Sequence, residues 1–143
     1  MKTLKFCLLT LLALVGCSKV DEQSSPSVNR DYLLFEDRLI EWENIFLQEE
    51  DDYIVYFFRE TCGHCQAIKE DVIDYYLMDI DVMYFIKNPE DEIYFSSRLI
   101  DIRGVNDASK LKIYGVPAIL EIVNHQVLNY HYGEKEILAF LTV

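Results

Sequence analysis

Residues Tyr53 to Tyr76 read YIVYFFRETCGHCQAIKEDVIDYY, and their character changes once, around Arg59. Tyr53 to Phe58 is an unbroken β-branched and aromatic run, the pattern of a strand covered on both faces of a sheet. Past the cysteines, Cys65, Ile68, Val72 and Tyr75-Tyr76 recur at helical spacing, while Lys69, Glu70, Asp71 and Asp74 fall on the other side. Cys62 and Cys65, separated by Gly63 and His64, therefore sit where a strand hands over to a helix, with Cys62 at or just before the helix N-terminus.

Upstream, from Asp31, Leu39, Trp42 and Ile45-Phe46 recur at three- and four-residue spacing and predict a helix, which the acidic run Glu49 to Asp52 ends as a solvated turn. Downstream, Val82 to Ile86 reads as a second strand. Pro89 stands near the first position of a helix expected to run to about Gly104, and a short helix capped by Asn106 or Asp107 follows. AILEIV and VLNYHY, joined at Asn124-His125, predict a hairpin, and EKEILAFLTV a closing helix with Ile137, Leu138 and Leu141 on one side. The order is helix, strand, helix, strand, helices, hairpin, helix: an α/β chain whose 143 residues suffice for one core.

Two cysteines three apart at a helix start can close a small disulfide. There the first sulfur faces unpaired backbone N–H groups and the positive end of the helix dipole, which favour thiolate. Cys65, one turn in, is expected to be more buried and to act as the resolving thiol. An imidazolium at His64 beside a thiolate stabilises the reduced form and makes the disulfide more oxidising.

Two other uses of the pair are weighed against this. Half a zinc site would need His125 and His131, but roughly sixty residues and a strand separate them from the cysteines, where metal pairs come at compact spacing. A purely structural bridge would close so small a loop that it stabilises weakly.

The segment IVYFFRETCGHC followed by an amphipathic helix resembles the active-site region of the thioredoxin superfamily, with the Gly-His dipeptide found in protein disulfide isomerases. A second match lies at YGVPAILEIVNHQVLNYHYG, where the family has a cis-proline packed against the disulfide. The resemblance covers about Asp31 to Val143. It implies a thioredoxin-like fold with a mixed sheet of about four strands flanked by helices, and a cis bond between Val116 and Pro117. It further implies a Val116 backbone that pairs with an extended substrate segment, and Gly133 facing the same groove. Three features depart from the family pattern. Tyr56 stands where thioredoxins bury an acid as proton acceptor, leaving Glu60, His64 or water as routes. Thr61 replaces the usual tryptophan. The stretch from 87 to 113 is longer, which implies an added helix around Glu92 to Ile102 ahead of the proline.

The N-terminus carries Lys2 and Lys5 before an apolar run, Phe6 to Val15. The run is short of the ~20 residues a spanning helix needs, so it reads as a secretory signal. Leu14-Val15-Gly16-Cys17 resembles the bacterial lipobox, which implies removal of residues 1–16 and lipid on Cys17, in diacyl form because one chain holds only marginally. Residues 17–30, polar with one proline, then form a flexible tether, and 31–143 the folded domain. With Cys7 discarded and Cys17 occupied, only Cys62 and Cys65 remain as thiols. The formal charge of −12 becomes more negative still without Lys2 and Lys5, which argues against nucleic acid as a partner.

The reading is an extracytoplasmic, lipid-anchored protein that exchanges thiols and disulfides with protein substrates, without metal, nucleotide or flavin, and draws electrons from a membrane thiol carrier. The alternative is a thioredoxin-like accessory module that docks an extended peptide without turnover, as in proteins assisting secretion or bacteriocin export.

Overall fold

The computed structural model describes residues 31–89 and 102–142. The expected leader and tether and nearly all of the helix expected around Glu92 to Ile102 lie outside these residues; Ile102 itself is buried.

β1 (Asp52–Phe58) is one of two inner strands and lies between the parallel and antiparallel halves of the sheet. It pairs in parallel with β2 (Met83–Lys87) and antiparallel with β3 (Ala118–Val123), which pairs antiparallel with β4 (Gln126–Tyr132), giving the order β2-β1-β3-β4. The unbroken apolar run of β1 follows from this placement. Ile54, Tyr56 and Phe58 point into one core, with Val72 and Ile73 of the helix after the cysteines and Ile137 of the last helix. Tyr53, Val55 and Phe57 point into a second core, closed by Ile45, Phe46, Ile102, Leu111 and Ile113. Every residue of β1 after Asp52 is buried, so neither face could have been polar.

The single helix expected after the cysteines is two, α1 (Gly63–Ala67) and α2 (Lys69–Met78), meeting at Ile68 with φ −107° and ψ 8°. α3 (Glu134–Leu141) closes the chain. The expected N-terminal helix is instead a pair of 3-10 turns, Tyr32–Arg38 and Trp42–Asn44. Between them Leu39 bridges to Phe85, and the Ile40 N–H donates to the Phe85 carbonyl at 2.9 Å. Satisfying the open edge of β2 holds this stretch extended, and a continuous helix would forfeit that bond. The short helix expected near Asn106 is one 3-10 turn, Ala108–Lys110, whose cap is Asp107: its carboxylate accepts from the Ser109 N–H at 3.0 Å.

In the β3-β4 hairpin, Asn124 and His125 both have positive φ, 49° and 56°, the backbone of a type I′ turn. The acids read as a solvated run serve this turn. Asp52 accepts from the Asn124 N–H at 3.1 Å, and the Asp51 carbonyl from the His125 N–H at 3.2 Å.

Candidate active site

Cys62 caps α1 from extended backbone, and its Sγ accepts the Cys65 N–H at 3.2 Å. An N–H aimed at a sulfur supports negative charge there while the sulfur attacks. Cys62 is half-buried, Cys65 fully buried, and both are free thiols in this structure. Burial pushes the Cys65 thiol up to about 12, reinforced by its hydrogen bond to Cys62. The pair is thus asymmetric, with one sulfur at the surface and one held neutral beneath it.

Facing Cys62, the Val116–Pro117 bond is cis and the Cys62 thiol donates to the Val116 carbonyl at 3.7 Å. β3 begins at the next residue. Gly133, with φ +82°, donates its N–H to the Pro117 carbonyl at 3.0 Å, a backbone conformation that a side chain would strain. Together His64, Val116, Pro117, Tyr132, Gly133 and Glu134 line an open cleft of about 310 Å³ beside the thiols. A larger hollow of about 790 Å³ lies by Trp42, Lys87 and Ala108 and holds neither cysteine. The cysteines, Val116, Pro117 and Gly133, separated by up to seventy-one positions in sequence, are therefore neighbours.

His64 is largely exposed, and its Nδ1 lies 2.5 Å from Glu134 Oε1 at the first residue of α3. When the ring is protonated the carboxylate balances its charge beside the thiols, so the oxidising influence expected of an imidazolium at His64 is opposed by a partner seventy residues away that its sequence neighbourhood does not reveal. Glu60 is engaged at the surface with Lys87 at 2.8 Å. Beneath the pair, the Tyr32 hydroxyl donates to the Cys65 carbonyl at 2.9 Å, and Tyr56 lies fully buried in the same cluster. Tyr32 and Glu134 are the site residues that sequence reasoning missed.

The two histidines of the zinc alternative do not join the cysteines. The register Asp52↔Val123 and Phe57↔Ala118 puts the His125 turn at the opposite end of β1 from Cys62, where His125 pairs with Asp51 at 3.2 Å. His131 pairs with Glu121 at 2.6 Å.

A four-stranded mixed sheet flanked by helices, with C-x-x-C at the β1–α1 junction and a cis-proline at the head of β3, is a thioredoxin-like fold. Among solved structures, thioredoxin f2 of Chlamydomonas reinhardtii superimposes with a TM-score of 0.50 at 16% identity, covering 73% of this chain and 92% of that one. Thioredoxin from Aeropyrum pernix gives 0.44 at 18% identity over 72% of this chain and 80% of its own. The short form of spinach chloroplast thioredoxin f gives 0.44 at 18% over 73% and 92%. At 16% identity the likeness to thioredoxin f2 speaks to fold alone, and neither a family model nor a curated protein sequence matches the chain.

Proposed function

We propose that the protein exchanges thiols and disulfides with protein substrates through Cys62 and Cys65. The observation that carries the reading is the asymmetry of the pair: a half-buried Cys62 sulfur receiving a helix N–H beside an open cleft, with a buried Cys65 one turn behind. The Cys62 thiolate attacks a substrate disulfide, forming a mixed disulfide and releasing one substrate sulfur. Cys65 then attacks Cys62, closing the intramolecular disulfide and releasing the second sulfur; a dithiol substrate is oxidised by the reverse sequence. An extended substrate segment lies along the cleft, against the backbone of Val116 and with Pro117 and Gly133 as its floor.

Equilibration against glutathione, read by thiol labelling, tests this. The helix N-terminus and His64 raise the potential while Glu134 opposes them, so a value between about −270 and about −180 mV is expected. Failure to form the disulfide would leave the accessory module that binds without turnover.

The same proposal places the domain outside the cytoplasm, tethered by lipid on Cys17, with a membrane thiol carrier as its electron partner. The lipobox-like Leu14 to Cys17 and the apolar run before it support this. Incorporation of a labelled fatty acid, lost in Cys17→Ala, is the expected result, and equal labelling of the two proteins would overturn it.

A further inference from the structure

The resolving step asks a buried thiol to ionise. Glu60 and His64, the titratable side chains nearest the cysteines in sequence, are committed to Lys87 and Glu134. The groups that face Cys65 are Cys62 at the N-cap of α1, the Arg59 backbone, Tyr32 of the first 3-10 turn and Tyr56 of β1, with Lys69 of α2 over the Tyr32 ring and tied to Asp31 at 3.8 Å.

Tyr56 is the unusual member of this set. Its side chain is 0% exposed, its ring stacks on Phe58 and meets Phe85 edge-on, and its hydroxyl has no hydrogen-bond partner among the described residues. An unsatisfied buried hydroxyl costs free energy. Phenylalanine would make the same ring contacts without that cost, so packing does not account for the oxygen. Yet Tyr56 shares a core cluster with Cys65 and Tyr32, and its hydroxyl couples weakly to the Tyr32 hydroxyl and electrostatically to both cysteines. The Tyr32 proton is already committed to the Cys65 carbonyl at 2.9 Å, whereas the Tyr56 hydroxyl, beside the Tyr32 oxygen, has no acceptor in hydrogen-bond geometry.

We infer that the Tyr56 hydroxyl donates a hydrogen bond to the Cys65 sulfur in the resolving step, the role left open by the missing buried acid. The inference rests on the exchange reading above. In the dithiol the Cys65 thiol is hydrogen-bonded to the Cys62 sulfur. Once Cys62 is tied up in a mixed disulfide that partner is lost; backbone N–H groups, Arg59 among them, still support the negative charge developing on Cys65, and the Tyr56 O–H turned toward the sulfur adds a side-chain donor. Cys65 loses its proton as its sulfur bonds to Cys62, the bond from Cys62 to the substrate breaks, and the departing substrate thiolate takes up the proton. Tyr56 keeps its own.

Reaction with Ellman's reagent under single-turnover conditions separates the steps. The first equivalent of thionitrobenzoate reports attack by Cys62, and the second reports resolution by Cys65. Tyr56→Phe is expected to leave the first phase unchanged and to slow the second by roughly ten-fold or more, the scale of a lost hydrogen bond to a charged group. Losing a donor to the thiolate also moves the pH at which the second phase becomes fast upward, whereas Tyr32→Phe leaves that pH in place. The thermal midpoint of Tyr56→Phe is expected at or above wild type, because an unsatisfied group is removed. A second phase with unaltered rate and pH profile in Tyr56→Phe, or an equal shift in Tyr32→Phe, overturns the assignment. Release of only one equivalent by the wild-type protein would instead sink the exchange reading itself.

Discussion

Replacing Cys62 with serine is expected to lower disulfide exchange by at least about a thousand-fold, because no other group at the cleft can form the mixed disulfide. Cys65 is fully buried behind it, and burial holds its thiol up to about 12, so it is a poor substitute nucleophile. The fold is expected to survive. Cys62 is half-buried, a serine oxygen at the helix cap still accepts the Cys65 N–H, and the stability change is under about 1 kcal/mol. Cys65→Ser behaves differently: Cys62 still attacks, and the mixed disulfide accumulates because nothing resolves it. Steady-state reduction of a disulfide-bonded protein, together with trapping on non-reducing gels, distinguishes the two. Exchange retained in Cys62→Ser would refute the nucleophile assignment. Cells that grow and secrete alike with wild type and Cys62→Ser would point to the accessory module.

The largest loss of stability is expected from Phe85→Ala on β2. Phe85 is fully buried and stacks on Phe35 with centroids 3.8 Å apart and planes 5° from parallel. It also meets Tyr76 of α2 edge-on at 5.5 Å and Tyr56 of β1 at 6.1 Å. One ring thus joins the N-terminal 3-10 turn, the sheet and the helix behind the cysteines. Truncating a buried Phe removes its transfer free energy and leaves a cavity, about 3–5 kcal/mol together. Set against a total of about 5–15 kcal/mol for a domain, that is a large share. Urea unfolding should show the midpoint fall with the slope unchanged. A loss below about 1 kcal/mol would mean that this aromatic cluster is not packed as described. Because Tyr56 leans on the same ring, the variant should also disturb the second phase of the thionitrobenzoate reaction.

Much of this was legible in the chain because it depends on local pattern. The run Tyr53 to Phe58 carries the pattern of a strand covered on both faces, and the spacing from Cys65 to Tyr76 puts the cysteines at a helix start. Asn124-His125 between two alternating runs marked the hairpin, although its two left-handed residues were visible only in the backbone. The N-terminal stretch misled for a physical reason. Its apolar spacing is helical, but β2 offers an open edge, and pairing Leu39 and Ile40 with Phe85 outweighs continuing a helix through them.

The sequence by itself determined where the thiols lie and that the strand before them is covered on both faces, so that the core is double-sided; each follows from side-chain periodicity read within a few residues. Tertiary structure alone decided which groups surround those thiols. Glu134 reaches His64 because the N-terminus of α3 packs beside that of α1, and Tyr32 reaches the Cys65 carbonyl because the first 3-10 turn folds under the helix. The Tyr56 hydroxyl is stranded beneath the pair because β1 is buried on both faces. These encounters join positions far apart in the chain, and their distances are set by sheet register and helix docking, which no local pattern encodes.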